Sequence, residues 1–222
     1  MPEQTLHQQL KEWYNKPGDL LEGQVWDYRA DIIRRDLIIE IQTGNFQQFR
    51  NKIEKLLKGY RVRVVYPIPY RCWVIKELNG VKTRKISSKI GRVEEVFNEL
   101  IYCPNLILNP NFSLEVLLVN IEEDRVIKWR GRKRIRYKTK EKRLLEVIST
   151  RVFQKSGDYF SLLPVGLTTA FTSRELSKRL NIRVTLARRM VYAFVKMGLL
   201  KEVGLIARAK LYKILIDDEK PA

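Results

Sequence analysis

The chain has 222 residues, 45% hydrophobic and 31% charged, enough to bury a core as one large domain or two small ones. Its 43 Lys and Arg exceed its 25 Asp and Glu, and the net charge of +18 favours polyanions, nucleic acid first, because neutralised phosphates release condensed counterions. No apolar run is long enough to span a bilayer, residues 1–10 lack a secretory pattern, and Cys72 and Cys103 have no zinc-ligand spacing, so a cytoplasmic protein with no membrane partner is expected.

Residues 5–15, TLHQQLKEWYN, read as a short helix stopped by KPGD. Strand signals follow at 23–34 and 37–42. In residues 45–60, Phe46, Phe49, Ile53, Leu56 and Leu57 recur at helical spacing, with Gly59 as the C-cap. RVRVVYPIP and RCWVIKEL predict two strands, the second ending at the turn Asn79-Gly80. This order contains a strand–helix–strand unit, which calls for a parallel crossover in a mixed sheet.

Residues 81–92 read as a basic loop, 93–103 as a helix and 104–112 as a loop; SLEVLLVNI at 113–121 fits helix or strand. Residues 125–143 hold eleven basic residues and one acid, and their alternation predicts a basic hairpin or arm. Residues 141–153, EKRLLEVISTRVF, read as a helix. Thr172 and Glu175 stand at capping-box spacing, and 184–200 form a longer helix ended by Gly198. Residues 201–215 predict two strands joined by a basic turn. The cysteines read as two reduced, buried thiols, with a single bridge as the alternative.

The stretch YRADIIRRDLIIEIQTGNF, residues 28–46, raises a chemical question. A turn on Arg35 and Asp36 places Asp31 opposite Glu40 and Arg29 opposite Gln42. Tyr28, Ala30, Ile32, Leu37, Ile39 and Ile41 then share an apolar face. Two carboxylates facing each other across a strand pair repel, and a divalent cation between them removes the penalty. Mg²⁺ or Mn²⁺ on Asp31 and Glu40 would polarise a phosphodiester and activate water, and Gln42 would orient that water. The structural alternative is a turn-proximal Asp31 and a Glu40 paired with Arg29.

The helix followed by RADII and LIIEIQ resembles the PD-(D/E)XK nuclease superfamily, the restriction-endonuclease-like fold. Asp31 matches its first acidic position, Glu40 the second, and Gln42 stands where Lys is usual. The resemblance implies a catalytic set of Asp31, Glu40 and Gln42, with an upstream acid at Glu22 rather than Glu12. Accessory candidates are His7 and Lys11 on the first helix and Lys52 on the second. The glutamine departs from the pattern, since it supplies hydrogen bonds but not the lysine's charge. The block LHQQLKEWYNKPGDLLE…IEIQTGNF also looks like an uncharacterised prokaryotic family with a winged-helix tail.

The C-terminal order of helix, turn, long helix and basic hairpin is that of a winged helix-turn-helix. Its candidate DNA contacts are Arg183, Thr185, Arg188 and Arg189 on the long helix and Arg208 and Lys210 in the wing. Arg132, Lys133 and Arg134 in the basic arm add phosphate contacts. The fold class expected is α/β: a restriction-endonuclease-like α+β mixed-sheet domain at 1–110, a connecting basic segment at 111–143, and a mainly α winged helix at 144–222. The function expected is a Mg²⁺- or Mn²⁺-dependent nuclease acting on double-stranded DNA, with a homodimer the natural form for cutting both strands. The alternatives are an inactive nuclease-fold DNA-binding regulator and an RNA-processing protein.

Overall fold

The computed structural model describes residues 5–78, 81–130, 133–167 and 170–215. The chain divides into two compact units that each draw on three segments: 1–43, 65–93 and 115–151 in the first, 44–64, 94–114 and 152–222 in the second. Among the described residues no helix is long and apolar enough to cross a membrane.

The first unit opens with α1 (Leu6–Tyr14), whose N-cap hydroxyl on Thr5 accepts the Gln8 N–H. Four short strands follow: β1 (Leu20–Leu21), β2 (Gln24–Val25), β3 (Tyr28–Arg29) and β4 (Ile32–Arg34). Next come β5 (Leu37–Ile41), β6 (Arg61–Leu78), β7 (Val81–Ile86), β8 (Phe112–Arg130) and β9 (Lys133–Phe153). The main sheet is mixed and seven-stranded, ordered β1-β4-β5-β6-β8-β9, with β7 also paired to β6. Leu6, Leu10 and Tyr14 of α1 pack on Ile32, Ile39 and Ile41, with Leu117, Val119 and Ile121 of β8 completing the core. Those α1 residues recur every four positions, the spacing that gathers them on one helix face. Full burial of a side chain such as Ile39 contributes about 1.5–3 kcal/mol.

The second unit holds α2 (Phe46–Leu56), α3 (Phe97–Leu100), α4 (Ser173–Leu180), α5 (Val184–Lys196), β10 (Leu200–Ile206) and β11 (Ala209–Ile214). Asn45 gives α2 no side-chain cap; instead Glu99 accepts the Phe46 N–H at 2.9 Å. Four buried rings form its centre: Phe153 stacks on Tyr159 at 4.5 Å, and Phe97 lies 6.4 Å from Tyr159 and 5.0 Å from Phe194. The Tyr159 hydroxyl has no hydrogen-bond partner among the described residues. Both cysteines are free, and burial pushes the Cys103 thiol up to about 12.

Several elements differ from the sequence reading. The expected strand at 23–34 is broken: β2 and β3 form a separate hairpin around Trp26, whose φ of 50° turns the chain back. The two strands expected at 61–78 are one, with Pro67 and Pro69 between the stretch that meets the end of β5 at Val65 and the stretch that meets β7 from Trp73 onward. A proline has no N–H to give, so it suits that gap. Residues 81–86 are a strand rather than a loop, while 93–103 give only a 3-10 turn and the four-residue α3. The loop expected at 104–112 contains a 3-10 turn, Pro104–Leu108. The ambiguous 113–121 belongs to β8. The helix expected at 141–153 is the end of β9. Its run Val147, Ile148, Thr150, Val152 is β-branched and suits a pleated surface. Gly59 is not the left-handed cap of α2, whose C-cap is Leu57. The turn at Asn79-Gly80 lies outside the described residues.

Candidate functional site

In the first unit β4 and β5 pair antiparallel as Ile32↔Ile39, Ile33↔Ile38 and Arg34↔Leu37, the register expected from the turn on Arg35 and Asp36. Arg35 supplies the left-handed residue of that turn, with φ 54°. Continued by one residue, the register carries Asp31 to Glu40, but β4 begins only at Ile32. The Asp31 carboxylate therefore substitutes for ladder groups: its Oδ2 accepts the Ile41 N–H at 2.8 Å, with His7 Nε2 at 3.2 Å. Glu40 is buried, 3% exposed, and so is Ile38 beside it. The face expected to be polar is thus covered, because β5 is buried on both sides. Arg29 does not stand opposite Gln42; it pairs with Gln24 in the small hairpin. Gln42 is half-buried, and its N–H bonds to Val65 O at 2.9 Å.

Helix α1 brings two more polar groups to this hairpin. His7 and Lys11 lie one turn apart; His7 meets Asp31, and Lys11, 5% exposed, donates to Glu22. The Glu22 carboxylate also pairs with Arg29, and its N–H bonds to Asp31 O at 2.9 Å. The hydrogen bond from Lys11, reinforced by the charges of Lys11 and Arg29, holds the Glu22 carboxyl below its ordinary value. Glu12 is exposed and accepts from Gln8. Among the described residues no group of three or more His, Cys, Asp or Glu could hold a metal ion. Lys52 lies on α2 and belongs to the second unit, whereas Asp31 and Glu40 belong to the first.

The second unit presents a different arrangement. Thr172 and Glu175 form the expected capping box on α4, and Asn181, at φ 50°, ends it in the left-handed conformation. Helix α5 buries Ala187, Met190, Val191, Ala193 and Phe194, leaving Arg183, Thr185, Arg188 and Tyr192 exposed. Val195 is 37% exposed. Gly198, at φ 72°, lets Leu199 N–H return to Phe194 O at 2.9 Å and stops the helix. Ala207 and Arg208 both have positive φ, the two-residue turn that joins β10 to β11.

That turn folds the hairpin beside the helices and leaves two hollows. The larger, about 590 Å³, is lined by Ser173, Arg174, Arg188, Arg208, Lys210 and Tyr212, with Ala207 and Ala209. The smaller, about 190 Å³, shares Ser173, Arg188, Lys210 and Tyr212 with it and adds Val191, Tyr192, Val195 and Glu202. Lys210 pairs with Glu202 at 2.8 Å. Among the described residues Arg174, Arg188 and Arg208 make no ion pair. Arg189 behaves differently from its expected role: it is half-buried and donates to Asn98.

Sequence reasoning passes over Arg174 and Tyr212. The available signal was the capping box, which fixes Arg174 in the first turn of α4, but its partners are set by the fold of the hairpin. Arg132 lies outside the described residues; Lys133 and Arg134 are in β9, and their side chains lie outside what is described.

Fold and site together define an α+β protein with a mixed sheet, a half-buried polar cluster on its hairpin and a basic cleft at its C-terminal helices. The chain belongs to the family described as Domain of unknown function (DUF8091), whose model matches residues 4–154. It is also similar to a protein of Treponema pallidum (strain Nichols) named "Uncharacterized protein", 26% identical over 180 residues, covering 79% of this chain and 72% of that protein. No solved structure matches.

Proposed function

We propose that this protein binds double-stranded DNA through α4, α5 and the β10–β11 hairpin, acting as a winged helix-turn-helix. The observation that carries the reading is the convergence of Arg174, Arg188 and Arg208 on one cleft, with no carboxylate paired to any of them among the described residues. Guanidiniums left without acidic partners keep their full charge for phosphate oxygens, which they meet in a bidentate fork. Arg183 and Thr185, exposed at the start of α5, would meet base edges. The test is fluorescence anisotropy with a labelled duplex. Arg188→Ala combined with Arg208→Ala is expected to weaken binding about tenfold or more. Equal affinity in wild type and double variant would remove the cleft from the reading.

A second reading, metal-dependent phosphodiester hydrolysis by a restriction-endonuclease-like unit, is favoured by the β4–β5 register that leads Asp31 toward Glu40. The donor set is two carboxylates, the number Mg²⁺ takes while keeping several waters, rather than a closed cage. Asp31 and Glu40 would hold Mg²⁺ or Mn²⁺, which supplies Lewis-acid polarisation of the phosphate and an acidified water. Gln42 would orient water by hydrogen bonding, and Glu22, engaged by Lys11 and Arg29, would support the hairpin. Supercoiled plasmid incubated with Mg²⁺, Mn²⁺ or EDTA tests this. Nicking that needs the metal and disappears in Asp31→Ala supports hydrolysis; intact plasmid under every condition leaves a DNA-binding protein.

A further inference from the structure

The two hollows of the second unit are unlike in chemistry. The smaller carries Tyr192, 48% exposed on α5, with Val191, Val195 and Tyr212, and so offers aromatic and aliphatic surface. The larger carries the guanidiniums of Arg174, Arg188 and Arg208, which make no ion pair among the described residues. Arg188 lines both, four residues before Tyr192, so the two side chains lie on one face of α5 about one helical turn apart. A duplex backbone accounts for the basic half only, because its bases are stacked inside and give an aromatic ring nothing to stack on. The larger hollow alone, about 590 Å³, falls in the size range of small-molecule sites.

We infer that this composite cleft is a site for a nucleotide with an unpaired base: the base stacks on Tyr192, beside Tyr212, and the phosphate is held by Arg174, Arg188 and Arg208. The inference rests on the nucleic-acid reading of the same cleft and deepens it from a backbone contact to a base-plus-phosphate contact. One helical turn between Arg188 and Tyr192 matches the scale on which a nucleotide carries its base away from its phosphate. Glu202, held by Lys210 at 2.8 Å, stands at the aromatic end and offers a carboxylate to the N–H donors of a base. The same chemistry is offered by a free mononucleotide and by the phosphorylated end of a single strand.

Isothermal titration of the full chain with dAMP, inorganic phosphate, a 5′-phosphorylated single-stranded oligonucleotide and a blunt duplex tests this. Wild type is expected to bind dAMP more tightly than phosphate. Tyr192→Leu should weaken dAMP about tenfold while leaving phosphate unchanged, and Tyr192→Phe should restore dAMP binding, since the ring face does the stacking. Displacement of dAMP by the single strand identifies a strand end as the source; failure of displacement, with Tyr192 still required, identifies a free nucleotide. Affinity for dAMP no greater than for phosphate, or unchanged by Tyr192→Leu, overturns the inference even when duplex binding is intact. Loss of duplex binding with dAMP binding retained overturns the DNA reading alone.

Discussion

Arg34 and Asp19 tie the end of α1 to β4 by a set of charge-assisted bonds. The Arg34 guanidinium gives Nε to Asp19 Oδ1 at 2.8 Å and its terminal nitrogen to Oδ2 at 2.7 Å, and also bonds to Tyr14 O at 2.7 Å. The Asp19 side chain is 2% exposed and accepts the Lys16 N–H as well. Asp19→Ala should therefore cost about 1.5–3 kcal/mol in urea unfolding at neutral pH, the range for hydrogen bonds to charged groups. The bond from Arg34 lowers the Asp19 carboxyl below its unfolded value of 3.8. A depressed folded pKa means that this stability is present above the unfolded value and is lost as pH falls through the folded one. The gap between wild type and variant should then narrow below about pH 4; a gap that stayed constant would deny the ion pair its part. Tyr159 makes the opposite case. Burial pushes its phenol well above 10, and its hydroxyl is unpartnered among the described residues. Only the unfolded chain ionises there near pH 10, so wild type loses stability on that side and Tyr159→Phe does not. At neutral pH the phenylalanine variant should melt at the same temperature or higher, since removing a buried unsatisfied group relieves a penalty.

Among the elements, α4 offers the cleanest test of local physics. Thr172 Oγ1 accepts the Glu175 N–H at 3.2 Å, and Glu175 Oε2 accepts the Thr172 N–H at 2.6 Å, so two orphan donors are satisfied reciprocally. Thr172→Ala should destabilise by about 1 kcal/mol, with a lower melting temperature and faster amide exchange in the first turn of α4. This cap was legible in the sequence because every partner lies within three residues. The edges of α1 and the β4–β5 register were legible because their partners, too, lie close together along the chain. The end of β9 was not. Leu145, Ile148 and Val152 recur as a helical stripe would, yet they are 46%, 41% and 38% exposed, and Leu144 and Val147 pack on the core instead. What decides there is pairing with β8, between residues too distant along the chain for any window of sequence to contain both. The carboxylates divide along the same line. Their register could be read from the turn, but the capture of Asp31 by the Ile41 N–H depends on β4 starting at Ile32, after the chain has doubled back at Trp26.

Across the whole molecule, a net charge of +18 does not by itself say where a polyanion binds, because some of the basic side chains already hold carboxylates. Glu122 takes Arg84 at 2.6 Å and Arg143 at 3.1 Å, Arg143 also meets Asp124 at 3.2 Å, and Glu123 takes Arg125 at 3.0 Å. Burial raises the Glu123 carboxyl, but the bonds from Arg125 and Thr139 outweigh it and hold the group below its ordinary value. Arg50 is likewise engaged by Glu54 at 2.7 Å. Arginines matched in this way release little on meeting phosphate, whereas Arg188 and Arg208 have no carboxylate to leave among the described residues. Two double variants of equal formal charge separate local binding from overall field. Arg188→Ala with Arg208→Ala should reduce the steepness of log K against log salt by about 1.8, at roughly 0.9 for each phosphate no longer neutralised. Arg50→Ala with Arg84→Ala, both exposed positions, should leave that slope unchanged. Equal flattening by the two pairs would mean that the field of the entire chain, and not the cleft between α5 and its hairpin, holds the nucleic acid.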